Sequence, residues 1–127
     1  MVIGIGTDMF EVKRMKDRLK NQPSFSEGIY TIHEIEYCEQ FKNKAEHYAA
    51  RYAAKEAFLK AIGTGWRNGI TFKDIEIIND NLGKPEIKLH GKAKEVCGQL
   101  NAHNILVTLS HTKELAIAFV IINNKQT

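Results

Sequence analysis

The chain opens on an alternation. From Val2 to Phe10, Val2, Gly4, Gly6 and Asp8 share one side, and Ile3, Ile5, Thr7 and Met9 share the other. A period of two predicts a strand. Two glycines on the Asp8 side leave room for a close neighbour or a ligand. The period then changes to that of a helix, with Val12, Met15 and Leu19 forming an apolar stripe. Pro23 and Gly28 mark a loop. Thr31 and Glu34 fit a capping box ahead of a helical stripe through Ile35, Cys38 and Phe41. An alanine-rich segment over 49–62 predicts a long helix that Gly63 stops. Gly63 to Gly69 reads as a flexible, glycine-rich connection. Phe72 to Ile78 and Glu86 to His90 read as strands joined by a turn over 79–85. Ala93, Val96, Cys97 and Leu100 repeat at helical spacing, and strands over 105–110 and 115–122 close the chain. Those last strands are apolar on both faces, so each is central in a sheet or covered by another subunit. The pattern predicts an α+β fold, one domain over 1–127, with hairpins and helices packed on one sheet.

The long helix carries the first chemical signal. With Tyr52 at the centre of a wheel, Ala45, Tyr48, Glu56 and Leu59 fall on its side, and Ala50, Ala54, Ala57, Phe58 and Ala61 fall opposite. A helix apolar on both sides is packed on both sides. Glu56 is costly to bury there unless a cation meets it, whether a side chain or a metal ion.

Composition narrows the class. The 127 residues, 43% hydrophobic and 26% charged, suit one compact domain with a core of its own. The longest apolar run, Leu115 to Ile122, is far below the ~18 residues of a membrane span. The start carries no basic, signal-like region. Cys38 and Cys97 lack metal-type spacing and read as reduced thiols, which favours a cytoplasmic protein. The net charge of +3 is concentrated: Lys13, Arg14, Lys16, Arg18 and Lys20 face a single acid, Asp17, within 13–20. That segment is either a docking site for an acidic partner or a solvated helix face.

Four polar residues stand where burial is expected: Asp8, Glu56, Lys60 one turn later, and His111 at the last hairpin. Each has an ordinary reading. Asp8 can cap the next helix, Glu56 and Lys60 can form an i,i+4 pair, and His111 can be a turn residue. Arg51 and Lys55 can be solvated. Together they suggest more. Two carboxylates can hold one Mg²⁺, which takes one or two carboxylates plus phosphates. Lys60, Lys55, Arg51 and His111 would supply positive charge or donors to those phosphates. The combination points to phosphate or pyrophosphate chemistry. No Walker-type loop is present, and Gly4-x-Gly6 is not a dinucleotide fingerprint.

A resemblance covers nearly the whole chain. Gly4-Ile5-Gly6-Thr7-Asp8-Met9-Phe10-Glu11-Val12, the run Arg51 to Ala61 with Gly63-Thr64-Gly65, the Gly83-Lys84-Pro85 turn, and Leu109-Ser110-His111-Thr112-Lys113-Glu114 follow in order. Together they resemble the holo-(acyl-carrier-protein) synthases. The resemblance implies the 4′-phosphopantetheinyl transferase fold: a mainly antiparallel sheet packed with a long buried helix and shorter helices. It implies a cytoplasmic homotrimer with interface active sites, acting in fatty acid biosynthesis. The reaction would move 4′-phosphopantetheine from coenzyme A to a serine of apo acyl carrier protein. By position, Asp8 and Glu56 match the Mg²⁺ ligands, and Glu56 and Lys60 the catalytic pair. Arg51, Lys55, Lys60, Gly63, His111 and Thr112 would contact coenzyme A. Lys13, Arg14, Lys16 and Arg18 would meet the acidic carrier protein. Thr7, Met9, Tyr30 and Tyr52 depart mildly from the usual pattern; Tyr52 replaces a common Phe. A nucleic-acid module would want aromatic residues among the bases, and 13–20 has none. Neither nucleic acid nor membrane is expected as a partner.

Overall fold

The computed structural model describes residues 1–64 and 69–125. Its elements are β1 (Val2–Glu11), α1 (Val12–Asn21), α2 (Phe25–Ile29), α3 (Ile32–Glu39), α4 (Lys44–Ile62), β2 (Ile75–Asn79), β3 (Pro85–Leu89), α5 (Gly91–Gln99), β4 (Asn104–His111) and β5 (Leu115–Asn123). Among the described residues no helix is long and apolar enough to cross a membrane. Much of the glycine-rich connection before β2 falls on residues 65–68, outside the described residues.

The expectation of one sheet is corrected. Antiparallel strands lie in the order β1-β5-β4, and β2 and β3 form a separate antiparallel hairpin. β3 and β4 share no ladder, and a groove of about 310 Å³ lined by Lys84–Ile87 and Asn104–Val107 lies between them. Pro85, which has no N–H to donate, begins β3. Two smaller readings also change. The loop around Gly28 contains the short helix α2. The strand expected from Phe72 starts at Ile75, because Thr71 and Asp74 cap a 3-10 turn over Phe72–Asp74.

β5 is the central strand of its sheet, one of the two outcomes its sequence allowed. Ala116, Ala118, Val120 and Ile122 are buried on one face. Leu115, Ile117 and Phe119 point the other way and stay exposed, as do Ile5 and Met9 of β1 and Leu106 of β4. The register places Thr7 and Thr108 opposite Phe119, so these residues form one continuous face.

α4 packs on the buried face at very short range. A Cβ at Gly4 would overlap the carbonyl oxygen of Ala61, and one at Gly6 that of Ala57. The room left by the two glycines therefore holds a helix, and no ligand. Ala53 and Ala57 are fully buried there, with Ala116 and Ala118 on the strand side. The alanines are as much a packing surface as a helix-forming one.

The opposite side of α4 is also covered, by α3 and β2. Lys55 is wholly buried. Its Nζ donates to Glu34 Oε1 at 2.8 Å, to the Phe72 carbonyl at 3.0 Å and to the Ile75 carbonyl. An ammonium has three hydrogens, and all are committed. Glu34 is used as fully. It closes the expected capping box with Thr31, and its Oε2 accepts from the Ile77 N–H at 3.0 Å. α4 ends at Gly63, which takes the left-handed conformation with φ 76°.

Candidate active site

β1 and α4 run past each other closely enough that Asp8, two residues beyond Gly6 on the same side, reaches the last turns of the helix. Lys60 Nζ donates to Asp8 Oδ1 and to the Thr7 carbonyl, each at 3.0 Å. The Lys60 side chain is 57% exposed and that of Asp8 21%. The ordinary reading paired Lys60 with Glu56, yet its ion pair crosses to the strand. Glu56 is half-buried. Burial, then the Asp8 carboxylate, push its pKa up, while the Tyr52 hydroxyl and Lys60 act against them. Two carboxylates sharing one field repel each other and favour a cation between them.

That donor set fits Mg²⁺. Both groups are hard oxygen ligands, and they come from separate rigid elements. Among the described residues no group of three or more His, Cys, Asp and Glu is placed to hold a metal. The protein side of a metal site would thus be two carboxylates, which suits an ion that keeps waters and takes substrate phosphates.

The remaining expected residues divide. Gly63 follows Lys60 at the same end of α4, its N–H bonded to the Leu59 carbonyl at 3.0 Å. His111 and Thr112 lie at the other end. His111 Nδ1 stands 3.0 Å from Glu46 Oε1, in the first turn of α4. Glu46 and Glu56 are ten residues apart, or about 15 Å along a helix rising 1.5 Å per residue. One chain therefore groups Asp8, Glu56, Lys60 and Gly63, and holds His111 and Thr112 well away. The Thr112 hydroxyl oxygen accepts from the backbone of Glu114 and Leu115 and shapes the β4–β5 turn.

Arg51 and Lys55, expected at phosphates, are buried in the fold. Lys55 is the core ammonium described above. Arg51 is 2% exposed; it donates to Asn79 Oδ1 at 2.6 Å and stacks 4.0 Å over the Tyr37 ring. Neither is a solvated side chain, and neither stands with Lys60. Both brace α4 against α3 and β2.

On α1, Val12 and Met15 are buried and Lys13, Arg14 and Lys16 exposed. Arg14 and Arg18 lie 4.7 and 5.3 Å over the Phe10 ring, and Arg18 also covers Phe25 and Tyr52. The segment has no aromatic residue of its own, but the fold brings three beneath its arginines. Lys16 turns to the opposite flank, onto a groove of about 630 Å³ shared with Lys20, Lys42, Lys44 and Lys113.

Sequence reasoning missed two acids. Glu34 was legible as a cap, but not as the partner of Lys55, 21 residues on. Glu46 gave no signal at all: its histidine is 65 residues away.

Comparisons with known proteins place the chain in a family. The family model described as the 4′-phosphopantetheinyl transferase superfamily matches residues 4–120. A holo-(acyl-carrier-protein) synthase of Ruminiclostridium cellulolyticum is 48% identical over 121 residues, covering 94% of this chain and 90% of the relative. The crystal structure of a Neisseria meningitidis holo-(acyl-carrier-protein) synthase superposes with a TM-score of 0.88 at 33% identity, covering 97% of this chain and 99% of the other. A Bacillus anthracis synthase solved in complex with CoA (3′,5′-ADP) gives a TM-score of 0.80 at 35% identity, covering 96% of each chain. With its cluster of Asp8, Glu56 and Lys60 at the β1–α4 crossing, this chain belongs to the 4′-phosphopantetheinyl transferase superfamily.

Proposed function

We propose that this chain transfers 4′-phosphopantetheine from coenzyme A to a serine hydroxyl of apo acyl carrier protein, releasing adenosine 3′,5′-bisphosphate. The observation that carries this reading is the Lys60–Asp8 pair beside Glu56, in a chain 48% identical to a holo-(acyl-carrier-protein) synthase. Asp8 and Glu56 would hold Mg²⁺. When bound, the ion supplies Lewis-acid stabilisation of phosphate charge. Lys60, more than half exposed at the rim, adds a positive charge for the same phosphates. The serine oxygen forms a bond to the β-phosphorus as the bond from that phosphorus to the bridging oxygen breaks. The serine proton is released to solvent, and the nucleotide departs with the bridging oxygen as its 5′-phosphate.

The same reading includes a homotrimer. His111 and Thr112 lie about 15 Å along α4 from Glu56, by the helix rise of 1.5 Å per residue. A second copy would supply them to the Lys60 end. The apolar sheet face of Ile5, Met9, Ile117 and Phe119 gives such a copy a surface to cover. Lys13, Arg14, Lys16 and Arg18 would receive the acidic carrier. The enzyme would act in the cytoplasm, supplying holo carrier protein for fatty acid biosynthesis.

The test is direct. Apo carrier protein mixed with this chain, coenzyme A and Mg²⁺ should gain the mass of one phosphopantetheine. No gain under any divalent metal overturns the reading, and full turnover in excess EDTA removes the metal from it.

A further inference from the structure

The contact between Glu46 and His111 is built with more care than a hairpin turn requires. The two side chains are 14% and 29% exposed, and Oε1 and Nδ1 stand 3.0 Å apart. Burial alone would raise the Glu46 pKa, but hydrogen bonds from His111 and Asn43 and the nearby histidines bring it below its usual range. Glu46 is thus ionised at neutral pH and accepts only. Nδ1 of His111 must carry the hydrogen. The ring is fixed from a second side as well. His47 lies edge-on to His111, with centroids 5.0 Å apart, and is itself stacked on Phe41 at 3.8 Å. Burial, then His111 and Arg51, lower the His47 pKa, which keeps that neighbour neutral. The surroundings are cationic: among the described residues Glu46 is the one acid lining the groove of Lys16, Lys20, Lys42, Lys44 and Lys113.

We infer that Glu46 is a positioning residue: it binds His111 through Nδ1, fixes the ring, and commits Nε2 to the nucleotide substrate. Among the described residues Nε2 has no hydrogen-bond partner. With Nδ1 held by the carboxylate, Nε2 is the ring atom left to meet the substrate. Without Glu46 the ring would be free to turn and to change tautomer. This inference rests on the reading that His111 meets coenzyme A, and it goes beyond that reading by giving Glu46 a role.

Long-range ¹H–¹⁵N spectra of the histidine rings in the intact enzyme read the tautomer without any assay. The native neutral ring of His111 should carry its proton on Nδ1. In Glu46→Ala that preference should be lost, and in Glu46→Gln, whose amide oxygen still accepts, it should be largely kept. Glu46→Ala should raise KM for coenzyme A about tenfold, the scale of one hydrogen bond to a charged group, and leave KM for carrier protein unchanged. Glu46→Gln should recover most of that loss. In a His111→Ala background, Glu46→Ala should add nothing. A native ring protonated on Nε2 overturns the inference without recourse to a variant. So does an equal KM effect in the His111→Ala background, which would make Glu46 part of the groove itself. His111→Ala with native KM for coenzyme A would instead sink the substrate reading of His111, while the tautomer still decides whether Glu46 sets the ring.

Discussion

Lys60 pairs with Asp8 across the β1–α4 crossing, Nζ to Oδ1 at 3.0 Å, and not with Glu56 one turn before it on the same helix. The pair is exposed on the lysine side, so its direct worth to stability is about 0–1 kcal/mol. Its chemical worth is larger if the site binds metal and phosphate. Asp8→Asn should therefore cut kcat at least ~100-fold, the scale of removing one preorganised electrostatic group. The midpoint of urea unfolding should barely move. A metal titration by calorimetry should show weakened binding in the same variant. An Asp8→Asn enzyme with native turnover would remove Asp8 from the site.

Lys55 makes the opposite prediction. It is buried, and its three hydrogens go to Glu34, Phe72 and Ile75. Lys55→Ala would leave the Glu34 carboxylate buried without its cation, a loss of about 3–5 kcal/mol. The urea midpoint should drop steeply, and activity should follow the folded fraction. If Lys55→Ala keeps native stability and loses only coenzyme A affinity, then Lys55 is a ligand and not a structural cation.

The contrast between these lysines shows what the sequence could and could not say. Periodicity exposed β1, the long helix and its Gly63 stop, because each depends on neighbours close in sequence. The capping box of Thr31 and Glu34 was legible for the same reason, at a spacing of three. The use of Glu34 by Lys55 was not, since it depends on how α3, α4 and β2 meet. The glycines of β1 announced a close approach but not by what; α4 turned out to fill the space. β2 and β3 looked like parts of one sheet, because alternation reports that a strand pairs and not which strand it pairs with. Asp8, Glu56 and Lys60 were found as a set only through their combined chemistry and the family resemblance. Glu46 escaped both routes, being an ordinary acid in the first turn of a helix.

Glu76 gives a prediction in pH. It is 4% exposed, accepts from the Thr31 hydroxyl, and lies 2.9 Å from His90 Nε2. Burial would raise its pKa, but those hydrogen bonds and the charges of His90 and His33 bring it below 4.5. The sign follows. An acid with a depressed folded pKa contributes stability that is full above its unfolded value and is lost as pH falls through the folded one. Glu76→Gln should cost about 1–3 kcal/mol at pH 7, the range for a hydrogen-bonded buried charge. The gap to wild type should narrow once pH drops below 4.5 and close in stronger acid. Thermal melts from pH 7 to 3 check it; a gap that stays constant would show that packing, and not charge, is responsible.

The last prediction concerns assembly. The fold separates the two groups of expected ligands: Asp8, Glu56 and Lys60 at the C-terminal end of α4, and His111 beside Glu46 at its start. The apolar face of the three-stranded sheet is open, with Ile117 38% and Phe119 42% exposed. If copies close into a ring through that face, each site takes its carboxylates from one chain and its histidine from the next. Phe119→Glu should then convert the trimer to monomer in sedimentation, since burying the exposed part of a phenylalanine is worth about 1 kcal/mol at each interface and a carboxylate there would be unpaired. Subunit mixing tests the shared site itself. Asp8→Asn chains keep an intact His111, and His111→Ala chains keep an intact Asp8. At a coenzyme A concentration where each variant alone is nearly inactive, reassociated mixtures should recover activity. Random assembly of a cyclic, head-to-tail interface places both intact halves at about one interface in four. If mixing restores nothing although mass spectrometry shows that mixed assemblies form, each site is built within a single chain. The distance along α4 would then have to be closed by movement of the β4–β5 turn.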